Sequence, residues 1–301
     1  RIYISSKFVA SYFNLVKIDS LIKNQQKLAD LQKQITQMQE TKYQKGLCGR
    51  PEVIIEEETL TTFNEELNNL KSEQEVLKNQ LIAMLGEKEV TNIDRSSLDS
   101  IKIFDVPEEI NSTAITKRPD FIKSELYVKK TGLDVRVARR ELLPSFTLYG
   151  NIGFNAYHLD RLFTNRSFLS GVGVLPSWDV FTGGRKMANL RYKKLECKKA
   201  MEMYNKTVLT SLQELNDSLC RVKNTKKNYN ESLQRCNLET EKYTLVTTKL
   251  GIGATSNLDK YKEERSLYVR QNEVIAQKAN YLIMTVELYK ALGGEDFTSL
   301  L

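Results

Sequence analysis

The chain has 301 residues and carries 45 Lys and Arg against 38 Asp and Glu, a formal charge of +7. No run approaches the roughly 18 apolar residues of a spanning helix, which excludes a transmembrane helix but leaves open a transmembrane β-strand of about 10 alternating residues. A single His (His158) and four scattered cysteines (Cys48, Cys197, Cys220, Cys236) form no CxxC, HExxH or zinc-ligand spacing. No metal, cofactor, disulfide framework or enzyme is therefore expected, and the cysteines read as buried or inert thiols.

Glycine and proline leave long stretches untouched. None interrupts residues 1–45, 52–85, 185–250 or 254–292, whereas ordinary globular helices run about 8 to 20 residues. Four long helices are predicted, and one of about 66 residues would measure about 100 Å. Their apolar residues are sparse, as in Leu21, Leu28, Leu31 and Ile35 or Leu60, Phe63, Leu67 and Leu70, close to the alternation of a coiled-coil seam. Such narrow stripes imply partner helices and self-association.

The first pair of helices repeats in the last pair at an offset of 207, the distance from Gly46 to Gly253. The same offset pairs Glu56 and Glu57 with Glu263 and Glu264, Leu60 with Leu267, and Leu85-Gly86 with Leu292-Gly293. Each copy reads as an antiparallel helical hairpin closed by a glycine-marked turn. Residues 1–90 form the first hairpin and 184–294 the second, followed by a tail at 295–301.

Between the copies the period changes. After a linker around Thr91 to Pro107, Arg118-Pro119-Asp120 opens a helix running to about Glu141, so that 91–142 is linker plus helix. Residues 143–183 then hold two predicted strands. The first places Phe146, Leu148, Ile152 and Phe154 on one face and Thr147, Tyr149, Asn151 and Asn155 on the other. The second, from Gly171, places Val172, Val174, Trp178 and Val180 opposite Gly171, Gly173, Ser177 and Asp179. Alternation of this kind fits a membrane barrel, but it also fits a soluble β-hairpin packed on the helices. Two strands cannot close a barrel alone, so the first reading demands strands from other chains. The polar loop at about 157–167 contains His158, read as an ordinary loop residue.

The combination resembles the outer-membrane efflux protein family, the TolC-like channels. The resemblance rests on Arg118-Pro119-Asp120, on Ala138-Arg139-Arg140-Glu141-Leu142-Leu143-Pro144-Ser145-Phe146, and on Trp178-Asp179-Val180-Phe181-Thr182-Gly183-Gly184-Arg185 with Asn189. Asn280-Tyr281-Leu282-Ile283 and Lys290-Ala291-Leu292-Gly293-Gly294 are similar to the family's last helix. Asp179 stands where the family usually has Pro, and Thr182 where it usually has Asp.

The resemblance implies a mainly α fold with a small β part, in which long helical hairpins form an α-barrel and each protomer of a homotrimer lends strands to a shared transmembrane β-barrel. It implies an outer membrane location with a periplasmic extension, contact with outer-membrane lipid, and docking to a periplasmic adaptor and an inner-membrane pump of the resistance-nodulation-division type. Transport through such a duct would be passive. It also implies a signal peptide, a first helix and a first β-hairpin ahead of Arg1, so the chain reads as N-terminally truncated. The rival reading is a soluble coiled-coil scaffold or adaptor with a β insert.

Site candidates fall at the hairpin turns, where a tunnel closed by helix tips would be gated. Gly46, Leu47, Gly49, Gly253, Ala254 and Ser256 are candidate adaptor contacts. Glu52, Leu258, Asp259 and Lys262 are candidate gate or constriction residues. Glu52 and Asp259 coincide under the 207 offset and, in a trimer, would form a ring of carboxylates that favours cations and raises their pKa values. Lys262 stands where the family often has a further Asp. Eight Lys or Arg face two Glu from Arg185 to Lys206; without a groove-reading motif this is a solvated helix face or a membrane-proximal belt, and nucleic acid is not an expected partner.

Overall fold

The computed structural model describes residues 2–86, 97–101, 103, 106 and 112–294. Among these are five long helices, α1 (Ile2–Gln44), α2 (Arg50–Leu85), α3 (Pro119–Arg140), α4 (Arg185–Gly251) and α5 (Asn257–Ala291), and two strands, β1 (Ser145–Phe154) and β2 (Phe168–Ser177). Most of the predicted linker and all of the 295–301 tail lie outside the described residues. The chain falls into two compact units, 1–118 with 211–301 and 119–210, and α4 contributes to both. These units cut across the linear order of hairpin, linker, strands and hairpin.

In the first unit α1 is the central helix, packed against α2 and α5. Its positions 18, 21, 25, 28, 32, 35 and 39 alternate in steps of three and four, the spacing of a coiled-coil seam. Ile18, Leu28 and Ile35 are fully or almost fully buried there. Leu31, Ile35 and Leu258 form one apolar cluster, flanked by Met38, Tyr261 and Tyr268. Farther along α1, Val16 joins Ala279 and Leu282 of α5 and Leu98 of a short 3₁₀ turn. The seam on α2 is narrower: only Val53, Glu56, Leu67 and Leu81 are buried on it.

The repeat holds down to individual backbone bonds. Gly46 and Gly253 have φ of 70° and 72°. The Gly46 N–H donates to the carbonyl of Tyr43 at 2.8 Å and Leu47 N–H to Lys42 at 2.9 Å; the Gly253 N–H donates to Leu250 at 3.0 Å and Ala254 N–H to Lys249 at 2.9 Å. Each donor and acceptor of one set maps onto the other at the 207 offset. Both are Schellman ends, in which a left-handed glycine turns the chain while its neighbours satisfy the last carbonyls.

Arg118 connects the ends of the first unit. Its guanidinium donates to the Ala291 carbonyl at 3.1 Å and to Glu214 of α4 at 2.7 Å. A Cβ at Gly293 would lie 3.1 Å from the Arg118 Cα. This position thus combines a cation at a helix C-terminus with close backbone packing that admits only glycine.

In the second unit β1 and β2 pair antiparallel from Ser145↔Ser177 to Phe154↔Phe168. β1 falls within the predicted run of 144–155, one residue short of it at each end. β2 begins at Phe168, earlier than expected, and ends at Ser177, so Trp178 and Val180 lie beyond the ladder. Instead, Trp178 Nε1–H donates to the Leu142 carbonyl at 3.3 Å, and Asn189 donates to Glu141 at 3.4 Å. Gly183 and Gly184 both have positive φ, 57° and 81°, which lets the chain reverse directly into α4. All four cysteines are free; Cys48, Cys197 and Cys236 are half-buried and Cys220 is exposed, so none is a fully buried thiol.

Substitution of two glycines separates backbone strain from crowding. A Cβ added at either Gly253 or Gly132 would meet nothing within 4 Å, but only Gly253 has positive φ. Urea unfolding is expected to show Gly253→Ala destabilised by about 1–2 kcal/mol and Gly132→Ala, inside α3, stabilised by about 0.5–1 kcal/mol. Equal effects at the two positions would contradict the left-handed turn.

Candidate functional site at the hairpin turns

The two turns lie at the same end of the first unit, since Leu258, the second residue of α5, packs on Leu31 and Ile35 of α1. Leu258 is 5% exposed, so it is a core residue of this end. Leu47 and Ile252, by contrast, are 71% and 77% exposed, one large apolar side chain at each tip.

Glu52 and Asp259 occupy the same third position of α2 and α5. Ser256 caps α5: its Oγ accepts from the Asp259 N–H at 3.2 Å and donates to the Asp259 carboxylate at 2.6 Å, which also accepts from the Ser256 N–H at 3.2 Å and from Thr255 Oγ1 at 3.1 Å. This is a capping box. In the first copy Gly49 replaces the serine and has no side chain to cap with. Glu52 still folds back, its Oε2 2.9 Å from where a Gly49 Cβ would sit.

The capping bonds set the acidity of Asp259. The Ser256 hydroxyl and backbone bonds stabilise the carboxylate and hold its pKa below the ordinary 3.8, with Thr255 and the charge of Lys42 adding to the effect. Within one chain the direction is thus opposite to the rise expected from a ring of repelling carboxylates.

Lys262 is committed to a buried ionic cluster. Glu56 of α2, 5% exposed, receives Lys262 Nζ at 2.8 Å and Arg265 at 2.9 Å, both from α5. Gln32 of α1, fully buried, donates to the Glu56 carboxylate at 2.8 Å and to its backbone carbonyl at 3.0 Å, while accepting from Arg265 at 2.8 Å. Three helices therefore meet in one hydrogen-bonded charge cluster. Burial pushes the Glu56 carboxyl up, but the bonds from Lys262 and Gln32 and the charges of Lys262 and Arg265 outweigh it and leave its pKa lowered.

Gln32 belongs to a row. Gln25, Gln32 and Gln39 are all buried on α1 at seven-residue intervals. Gln25 donates to the carbonyl of Phe63 at 3.1 Å and to Glu66 at 3.2 Å, and Phe63 lies seven residues from the Glu56 carbonyl that Gln32 reaches. Apolar periodicity passes over these residues because they are polar; the heptad spacing of the glutamines is the signal that marks them. Buried polar groups at seam positions fix register at some cost in stability.

The lowered pKa of Glu56 carries a sign. Its contribution is fully present above the ordinary carboxyl value of 4.5 and is lost as pH falls through the depressed folded value. Glu56→Gln is expected to cost about 1–3 kcal/mol at pH 7. The gap between wild type and variant should close as pH is lowered below 4.5 in chemical denaturation. A gap that persists at the lowest pH would show that Glu56 acts by packing alone.

The model of the family described as "Outer membrane efflux protein" matches residues 110–294, more than half of the chain. The probable efflux pump outer membrane protein TtgC of Pseudomonas putida is 28% identical over 221 residues, 72% of this chain and 45% of TtgC. The pyoverdine export outer membrane protein OpmQ of Pseudomonas aeruginosa is 23% identical over 278 residues, 91% and 58% of the two chains. The chain thus spans about half the length of these relatives. Its fold matches the CmeC outer membrane channel of Campylobacter jejuni with a TM-score of 0.77 at 24% identity, covering 99% of this chain and 65% of that one. With the doubled hairpins, the Gly183-Gly184 passage and the matched segment in agreement, the chain belongs to the outer membrane efflux protein family.

Proposed function

We propose that the chain is part of the outer-membrane channel of a tripartite efflux system, a passive exit duct for small molecules delivered by an inner-membrane pump through a periplasmic adaptor. The observation that carries this reading is the face of the β-hairpin formed by Phe146, Leu148, Ile152, Val172 and Val174, which are 61–82% exposed. In water such a face is a liability; in lipid it is the stabilising surface. The opposite face carries Thr147, Tyr149 and Asn151, with Tyr149 lying over Gly173 and Asn151 over Gly171. Polar side chains against glycine suit a crowded, water-filled lumen, although Leu169 and Leu175 interrupt the pattern.

A soluble scaffold would gain nothing from so large an apolar strand face. Two strands leave outer backbone groups unpaired in a bilayer, so the barrel needs further strands, and a homotrimer supplies them with closed symmetry. Passive transport requires no catalytic group, and selection of cargo rests with the pump.

The turns form the gate in this account. Leu47, at the tip with Gly46 and Gly49, and Ile252, beside Gly253, Ala254 and Ser256, offer the adaptor an apolar contact. Glu52 and Asp259 line the constriction, and the Glu56–Lys262–Arg265 cluster ties α5 to α1 and α2 in the closed state. In planar bilayers the assembled channel with Glu56→Gln is expected to gain about fivefold or more in open probability, the effect of about 1 kcal/mol or more on a two-state gate. Asp259→Ala is expected to lower cation selectivity. Unchanged gating in the first and unchanged selectivity in the second would remove these residues from the gate.

A further inference from the structure

We infer that the helix ends bordering the β-hairpin form an arginine collar that binds the headgroups of anionic phospholipids, an inference that rests on the membrane reading of the strands. α3 ends at Arg140, five residues before β1, and α4 begins at Arg185, eight residues after β2. Arg136, Arg139 and Arg140 on α3 and Arg185 and Arg191 on α4 are all exposed. None of the five has an ion-pair or side-chain hydrogen-bond partner among the described residues. The nearby carboxylates are engaged: Asp179 pairs with Lys186 at 3.3 Å, and Glu141 accepts from Asn189.

Position gives the collar its meaning. Arg191 is six residues into α4, about 9 Å along its axis, so all five cations lie within about one Debye length at 0.1 M salt, measured along the helix axes, of the α3 and α4 ends that border the hairpin. The same border carries exposed aromatics. Trp178 is 58% exposed with its Nε1–H anchored on Leu142, and Phe181 is 92% exposed. Amphipathic aromatics mark the headgroup level of a bilayer, and guanidinium groups bind phosphate in bidentate fashion. An apolar strand face, an aromatic border and a row of unpaired arginines succeed one another in the order of hydrocarbon, interface and anionic headgroup.

Vesicle flotation of the full chain tests this with phosphatidylcholine alone and with phosphatidylcholine containing phosphatidylglycerol. Binding to both is expected, tighter by at least about tenfold with phosphatidylglycerol, the preference fading in high salt. Arg139→Gln/Arg140→Gln/Arg185→Gln/Arg191→Gln should erase the preference while keeping binding to neutral vesicles. Lys223→Gln/Lys227→Gln/Arg235→Gln/Lys249→Gln, with the same charge removed elsewhere on α4, should keep it. Equal loss in both variants would reduce the effect to net charge and overturn the collar. So would a collar variant that changes the oligomeric state but not the lipid preference. Failure of the wild type to bind either vesicle would overturn the membrane reading itself.

Discussion

The apolar face of the β-hairpin is the constraint on which the rest depends. An isolated two-stranded ribbon is marginal in water unless further strands or a helix cover its face, and here that face is bare. Lipid can cover it, but a bilayer then forbids the unpaired backbone at the outer edges of both strands. The two requirements together demand more strands than β1 and β2 supply. In the proposed channel those strands come from further copies of the chain, since a homo-oligomer supplies them with closed symmetry.

The helical part is built for specificity more than for burial. A seam of leucines and isoleucines alone would hold α1 to its neighbours in several registers. Gln25 and Gln32 remove that freedom by bonding defined carbonyls of α2, while Glu56 gathers Lys262 and Arg265 from α5 onto the same point. A buried charge cluster of this kind contributes little net stability when complete, and its loss costs most when only one partner is removed. It is therefore suited to a junction that must hold in one state and part in another. The capping box and the Schellman turns beside it satisfy the backbone groups that the helix ends leave open.

Much of this was legible in the residues. Glycine placement marked the helix ends, and the 207 offset anticipated paired turns whose individual hydrogen bonds correspond. Strict alternation located β1 to within one residue at each end. The boundary of β2 was missed because alternation continues through Trp178 to Val180, while hydrogen bonding stops at Ser177 and Trp178 turns to the Leu142 carbonyl. The glutamine row was missed because a search for apolar periodicity discards polar residues at seam positions. Lys262 was placed at the gate by position alone, and its partner Glu56 could not be identified without knowing that α2 and α5 flank the same helix. The 207 offset paired Asp259 with Glu52, and both are the third residue of their helices, but the capping role of Asp259 depends on Ser256 and Thr255 folding over it.

The most direct test is a lipid-accessibility scan of the hairpin in the assembled protein, with Cys48, Cys197, Cys220 and Cys236 replaced by serine. Single cysteines at 146–152 and 170–176 would carry a nitroxide label in a bilayer, and its exposure to oxygen and to a water-soluble relaxant would be measured. The account predicts a two-residue period, with positions 146, 148, 152, 172 and 174 facing lipid and 147, 149, 151, 171 and 173 facing water. Labels that meet water on both faces would contradict a membrane-spanning hairpin.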